Sequence, residues 1–219
     1  MQTDEFLDAV KKNESPRILQ LLEAHPSLAN ARDKDGVSAV FLALYRGNKK
    51  AAQEIASRKR DLDVFEAAAL GLSQLKTLVD HDVSLVRSYS PDGFTALALA
   101  SYLGQKESAE YLLDKGADLD ASAKNETGYT ALTGAVSQNH NEVAKLLLKK
   151  GANVNHQYEG GFTPLMHAAF AGNVELVNLL LENGADPNAR NGEGKTPLTF
   201  AREKGHDSVV ELLRKRGAE

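Results

Sequence analysis

Residues 159–190, EGGFTPLMHAAFAGNVELVNLLLENGADPNAR, read as one small structural unit. Thr163 is a natural helix N-cap, because its hydroxyl can accept a hydrogen bond from a free amide of the first turn. Pro164 follows at the first helical position, where its missing N–H costs nothing and its fixed φ suits the helix. Leu165, Ala168 and Ala169 give a short apolar face, and the alanines let another helix approach closely. Gly172 stops that helix, since glycine takes the left-handed conformation past a helix end without penalty. Val174, Leu176, Val177, Leu179, Leu180 and Leu181 are spaced for burial along a second helix. Gly184 ends it, and Asp186-Pro187-Asn188 reads as a turn. Neither helix is long enough to be stable alone, so the unit must stack on copies of itself.

The copies are present. The residues ending each first helix are Asn13, Gly47, Gly71, Gly104, Asn139, Gly172 and Gly205, at intervals of 34, 24, 33, 35, 33 and 33 residues. The helix start recurs as Thr95-Ala96-Leu97, Thr130-Ala131-Leu132 and Thr196-Pro197-Leu198. The second-helix ending recurs as LLDKGAD (112–118), LLKKGAN (147–153) and LLENGAD (180–186). A sustained period near 33 of helix, turn, helix and turn signals a solenoid. On these motifs the chain resembles the ankyrin repeat family, strongly from about Pro91 onward and more weakly, but in phase, from Met1 to Ser90. The resemblance implies an all-α solenoid of helix-turn-helix units with short β-hairpin fingers. It forms one domain of seven repeats, at about 1–33, 34–60, 61–90, 91–124, 125–157, 158–190 and 191–219.

The net charge of −4 argues against nucleic acid as a partner, which would need a basic stripe to displace counterions. The absence of cysteine leaves no disulfide framework or thiolate chemistry and fits a reducing compartment. MQTDEFLDAV lacks the basic and apolar regions of a signal peptide, and no apolar run is long enough to span a bilayer. A monomeric cytoplasmic protein without membrane contact is expected, with export by a signal-independent route left open.

Along the chain, Asp4 is expected to cap the first helix, Ser15 to cap the second with Pro16 at its first helical position, and Asp61 or Asp63 to cap the fifth. Ser73 is expected to cap the sixth. The interval of 24 leaves nine residues missing around Arg58-Lys59-Arg60-Asp61, where a finger should project. The expectation is a direct helix-to-helix link over 57–63, a notch in the finger rim and easier local opening there. The basic run Arg58–Arg60 reads as a solvated helix C-terminus, favoured by the dipole. In the last repeat Arg202 and Arg214 put charge where a further repeat would dock, so the array is expected to end there.

No constellation for chemistry emerges. His25, His81, His140, His156, His167 and His206 include no pair with ligand spacing on one helix. His167 reads as a structural, hydrogen-bonding residue. There is no nucleophile elbow, P-loop or zinc-protease motif, and GEGK (192–195) sits in a repeat turn. No catalytic residue, metal or cofactor is expected. The alternatives are an enzyme or nucleotide-dependent protein on a repeat scaffold, which a closed pocket with a perturbed carboxylate pair would favour, and a nucleic-acid binder, which a continuous basic face would favour.

The family resemblance implies binding of a protein or peptide through the finger tips and the concave face of the first helices. Thirty positions fall there in repeats two, four, five, six and seven. Seven are aromatic: Tyr45, Tyr89, Phe94, Tyr102, Tyr129, Phe162 and Phe170. The whole chain of 219 residues holds only 7 Phe and 6 Tyr, so the groove is enriched. Aromatic anchors are typical of protein interfaces. Phe94, Tyr129 and Phe162 also suit packing along the hairpins, whereas Tyr45, Tyr102 and Phe170 do not.

Overall fold

The structure, a computed structural model, describes residues 2–219. Its helices in chain order are α1 (Gln2–Lys11), α2 (Ser15–Ala24), α3 (Ala39–Tyr45), α4 (Lys49–Ser57), α5 (Val64–Leu70), α6 (Gln74–His81) and α7 (Ala96–Tyr102). There follow α8 (Lys106–Asp114), α9 (Ala131–Ser137), α10 (Asn141–Lys149), α11 (Pro164–Ala171), α12 (Val174–Glu182), α13 (Pro197–Glu203) and α14 (Asp207–Lys215). Each odd-numbered helix packs on its even partner. Odd helices stack on odd, as α5 on α7 and α9 on α11, while even stack on even, as α10 on α12. Extended backbone among the described residues amounts to isolated bridges in the fingers, at Arg32–Ser38, Tyr89–Thr95 and Tyr158–Phe162.

Local chemistry sets the helix starts. Ser38, Thr95, Thr130, Thr163 and Thr196 each accept a backbone N–H three residues on and are themselves buried. In α5 Asp63 takes that place and forms a reciprocal capping box with Glu66. Three expected caps differ. α1 begins at Gln2, so Asp4 lies within its first turn rather than ahead of it. Glu14, not Ser15, precedes α2, and its side chain makes no cap bond. Ser73 keeps a helical backbone, which turns its hydroxyl away from the amides it would cap. Val174, expected inside, is 43% exposed because it opens α12 on the solvent side, and burial falls to Leu176, Val177 and Leu180.

The residues ending the first helices all have positive φ, including the two asparagines, Asn13 at 61° and Asn139 at 57°. Neighbouring repeats join across these turns in two ways. At Gly71, Gly104 and Gly172 a ring or amide from the next repeat lies close against the turn. A Cβ on Gly104 would come within 2.7 Å of the His140 ring, and one on Gly172 within 2.6 Å of the His206 ring. Where the turn ends in asparagine, another asparagine answers it. The Asn173 amide donates to Asn139 Oδ1 and Asn141 Oδ1, each at 3.0 Å, and Asn48 pairs with Asn13 in the same way.

Residues 58–63 run directly from α4 to α5 without a bridge. The rim beside them is not notched, contrary to the expectation from spacing. The second finger (residues 32–38) and the fourth (residues 89–95) close over the gap. A Cβ on Gly36 would lie 3.3 Å from Pro91 Cβ, and the Tyr45 hydroxyl donates to Asp92. Arg32 reaches down to Asp63 at 3.1 Å. Removing one finger lets its neighbours meet, while α3 and α5 touch at few points. The basic run is not uniformly solvated either. Arg58 pairs with Glu54, but the Lys59 side chain is buried against Glu66.

Candidate functional site

The closed seam shapes the inner face. Tyr45 from α3 and His167 from α11 line one cavity of about 280 Å³, so the odd-numbered helices form a concave surface. Its walls are Tyr45, Phe94, Tyr102 and Tyr129, and its floor includes Ala98, Leu99 and Gly134. Thr127, Ser137 and Gln138 add polar groups, and no lysine, arginine or carboxylate lines it.

The cavity exists because α9 carries small residues where α3, α7, α11 and α13 carry large ones. Gly134 occupies the register of Leu42, Leu99, His167 and Phe200. Ser137 occupies that of Tyr45, Tyr102 and Phe170. A glycine inside a helix costs about 1 kcal/mol relative to alanine, and Gly134 returns close packing: a Cβ there would sit 3.4 Å from Ala98 O and from the Tyr102 backbone N.

Their surroundings favour the neutral forms of Tyr45, Tyr129 and His167. Loss of water around the Tyr45 phenol raises its pKa, and the Asp92 carboxylate adds to this. Burial also raises Tyr129, with smaller contributions from Tyr102 and Glu159, and raises Tyr158. Burial lowers His167, whose Nδ1 lies 3.2 Å from the Tyr158 hydroxyl.

From the cavity an aromatic series continues toward the C-terminal repeats. Tyr129 meets Tyr158 edge-on at 4.9 Å, and Phe162 lies 5.2 Å from Phe200. Phe170 meets Phe200 edge-on at 6.3 Å under the Lys204 ammonium, and is 43% exposed. Six of the seven aromatic positions read from the sequence thus fall on the cavity or this series. Tyr89 does not. It lies on the other side of its finger in a depression with Val86, Arg87 and Thr95, its ring covered by Lys124 at 4.0 Å. Sequence reading missed Tyr158, Phe200 and the part His167 plays in the lining. It also missed Gly134 and Ser137, whose signal was smallness at registers filled by large side chains in α3, α7, α11 and α13.

Among the described residues no group of His, Asp and Glu is placed to hold a metal ion, and no helix is long and apolar enough to cross a membrane.

A family model for ankyrin repeats, built on three copies, matches residues 6–123, 64–158, 120–191 and 155–219. The chain belongs to the ankyrin repeat family, whose members are generally non-enzymatic protein-interaction modules. It is similar to the mouse protein "Ankyrin repeat and SAM domain-containing protein 6", at 40% identity over 103 residues, and to its rat counterpart at 38%. That similarity covers 42% of this chain and 11% of either relative.

Proposed function

We propose that this chain is a non-enzymatic, monomeric interaction module of the cytoplasm that binds a protein or peptide on its concave face. Its contacts are Tyr45, Phe94, Tyr102, Tyr129, Phe162 and Phe170, with Tyr89 on the flank of the fingers. The observation that carries this reading is the exposure of Tyr45 and Phe170, at 40% and 43%, on the same face as a mostly apolar cavity. Apolar area left in water forgoes about 25 cal/mol per Å², which a covering partner recovers. Tyrosine and phenylalanine offer that area for few lost rotamers.

The experiment is affinity capture followed by titration of the purified partner against Phe170→Ala. Thermal unfolding of the variant should match the wild type within about 1 kcal/mol, as for surface changes. Affinity should fall by about 2 kcal/mol, the scale of an interface anchor. A folded variant that binds its partner undiminished places the contact elsewhere.

A further inference from the structure

The cavity at α9 has a second property that narrows its occupant. Three successive fingers present carboxylates around it: Asp92, Glu126 and Glu159. Asp92 accepts hydrogen bonds from Tyr45 and, at 2.5 Å, from Ser90. Glu126 is exposed and directly precedes Thr127 of the cavity lining. Glu159 donates its backbone N–H to the Thr127 carbonyl at 3.0 Å, and its charge acts on the Tyr129 phenol. Among the described residues none of the three has a lysine or arginine in ion-pair range. Nearby cations are engaged elsewhere: Lys124 lies over Tyr89, Arg32 pairs with Asp63, and Lys195 with Glu193 and Glu203.

Resting on the reading of the concave face as a docking surface, we infer that the cavity takes one large apolar side chain of an extended peptide whose adjacent residues are basic. An apolar cavity of about 150 Å³ suffices for a benzene ring, so this one, at about 280 Å³, accepts a phenylalanine, leucine or methionine side chain. The rim carboxylates, none of them ion-paired, then attract flanking lysine or arginine and repel acidic segments, which sets specificity and association rate. The polar lip at Thr127, Ser137 and Gln138 lies where a peptide backbone would cross.

The test is to pan a phage library of random dodecapeptides against the full chain and synthesise the enriched sequences with a fluorescent label. The expected consensus places Phe, Leu or Met beside Lys or Arg. Ser137→Tyr fills the cavity with a side chain that the same register already holds at Tyr45 and Tyr102. It should weaken those peptides about tenfold or more, the scale of a hot spot. Glu159→Gln should weaken them less, and it should flatten the loss of affinity with added salt. Gly134→Leu, matching Leu99, is a second filling variant should Ser137→Tyr fail to fold. Failure to enrich any such sequence, or enrichment of acidic ones, overturns the inference. Binding that survives both filling variants but is lost in Phe170→Ala overturns the cavity's role and leaves the concave face as the docking surface. Binding that survives all of them overturns the reading of the face itself.

Discussion

The Lys59 ammonium lies 2.7 Å from the Glu66 carboxylate, and their side chains are 4% and 0% exposed. This pair fills the joint where the third finger is missing. Glu66 also accepts the Asp63 amide, while its own N–H donates to Asp63 at 2.8 Å. One carboxylate thus ties the 58–63 link to the start of α5. Attraction between such charges repays their desolvation only when further hydrogen bonds support them, and both Glu66 oxygens are engaged, one by Lys59 and one by the Asp63 amide.

Removing one partner should therefore be costly. Glu66→Gln keeps the shape but leaves the Lys59 charge buried, and should destabilise the chain by about 3 kcal/mol or more. The double change Lys59→Met with Glu66→Gln should recover a large part of that loss. Urea unfolding of the two single variants and the double one measures the coupling. Additive losses would show that the pair does not act as a unit.

Gly172 and Gly205 have nearly equal φ, 72° and 71°, but a Cβ on Gly172 would meet the His206 ring at 2.6 Å whereas one on Gly205 meets nothing within 4 Å. Gly205→Ala should cost about 1 kcal/mol, the strain of alanine at positive φ. Gly172→Ala should cost clearly more, because His206 must also leave the Phe170 carbonyl, 3.0 Å from its Nε2. Equal losses in thermal unfolding would mean that the ring moves aside freely.

Two imidazoles make the fold sensitive to acid. Burial lowers the pKa of both His140 and His167 below the ordinary 6.5. His140 faces the Tyr102 carbonyl, with the Lys49 charge also opposing protonation, while its hydrogen bond resists the shift. The unfolded chain therefore takes up these protons first as pH falls. Stability should be full above about pH 7.5 and should decline as pH drops through 6.5 toward the lowered values, by at most about 1.4 kcal/mol per pH unit for each group. His140→Gln with His167→Gln should flatten that slope between pH 7.5 and 5.5 in urea titrations. An unchanged slope would assign it to carboxylates.

What sequence reading reached follows from how local each feature is. Thr163 before Pro164, or Gly172 after Ala171, acts through bonds within one turn, so the helix pairs and the caps at the threonines and Asp63 were legible. The direct link at the joint was legible from the spacing, but the closure over it was not, because contact of Pro91 with Gly36 depends on how two fingers lean once the one between them is absent. Tyr89 was misplaced for a related reason. It pairs with Thr95 across the finger, and side chains of extended backbone alternate sides, so Tyr89 shares the side of Thr95 while Phe94 faces the cavity. The cavity itself was not legible, because interface anchors stand out as large side chains, whereas Gly134 and Ser137 mark the cavity by being small.

The closed seam also predicts which part of the array opens first. Helix pairs in a solenoid are held by their neighbours, and α3 touches α5 at few points. The first two pairs are then retained by the Lys59–Glu66 joint and by the finger contact of Tyr45 with Asp92 and Gly36 with Pro91. Amides of α1–α4 should exchange hydrogen through a shared opening of lower free energy than those of α9–α12, as cooperative substructures do. Tyr45→Phe removes the hydrogen bond to Asp92 while keeping the ring against Phe41, 5.9 Å away. It should lower the opening free energy of α1–α4 by about 1 kcal/mol, the net worth of a hydrogen bond. Exchange in α9–α12 should stay unchanged. Mass-spectrometric hydrogen exchange resolves the two segments. If Tyr45→Phe accelerates both equally, the array opens as one unit and the seam holds no separate part of it. If it accelerates neither, the contact between the second and fourth fingers rests on Gly36 and Pro91 alone.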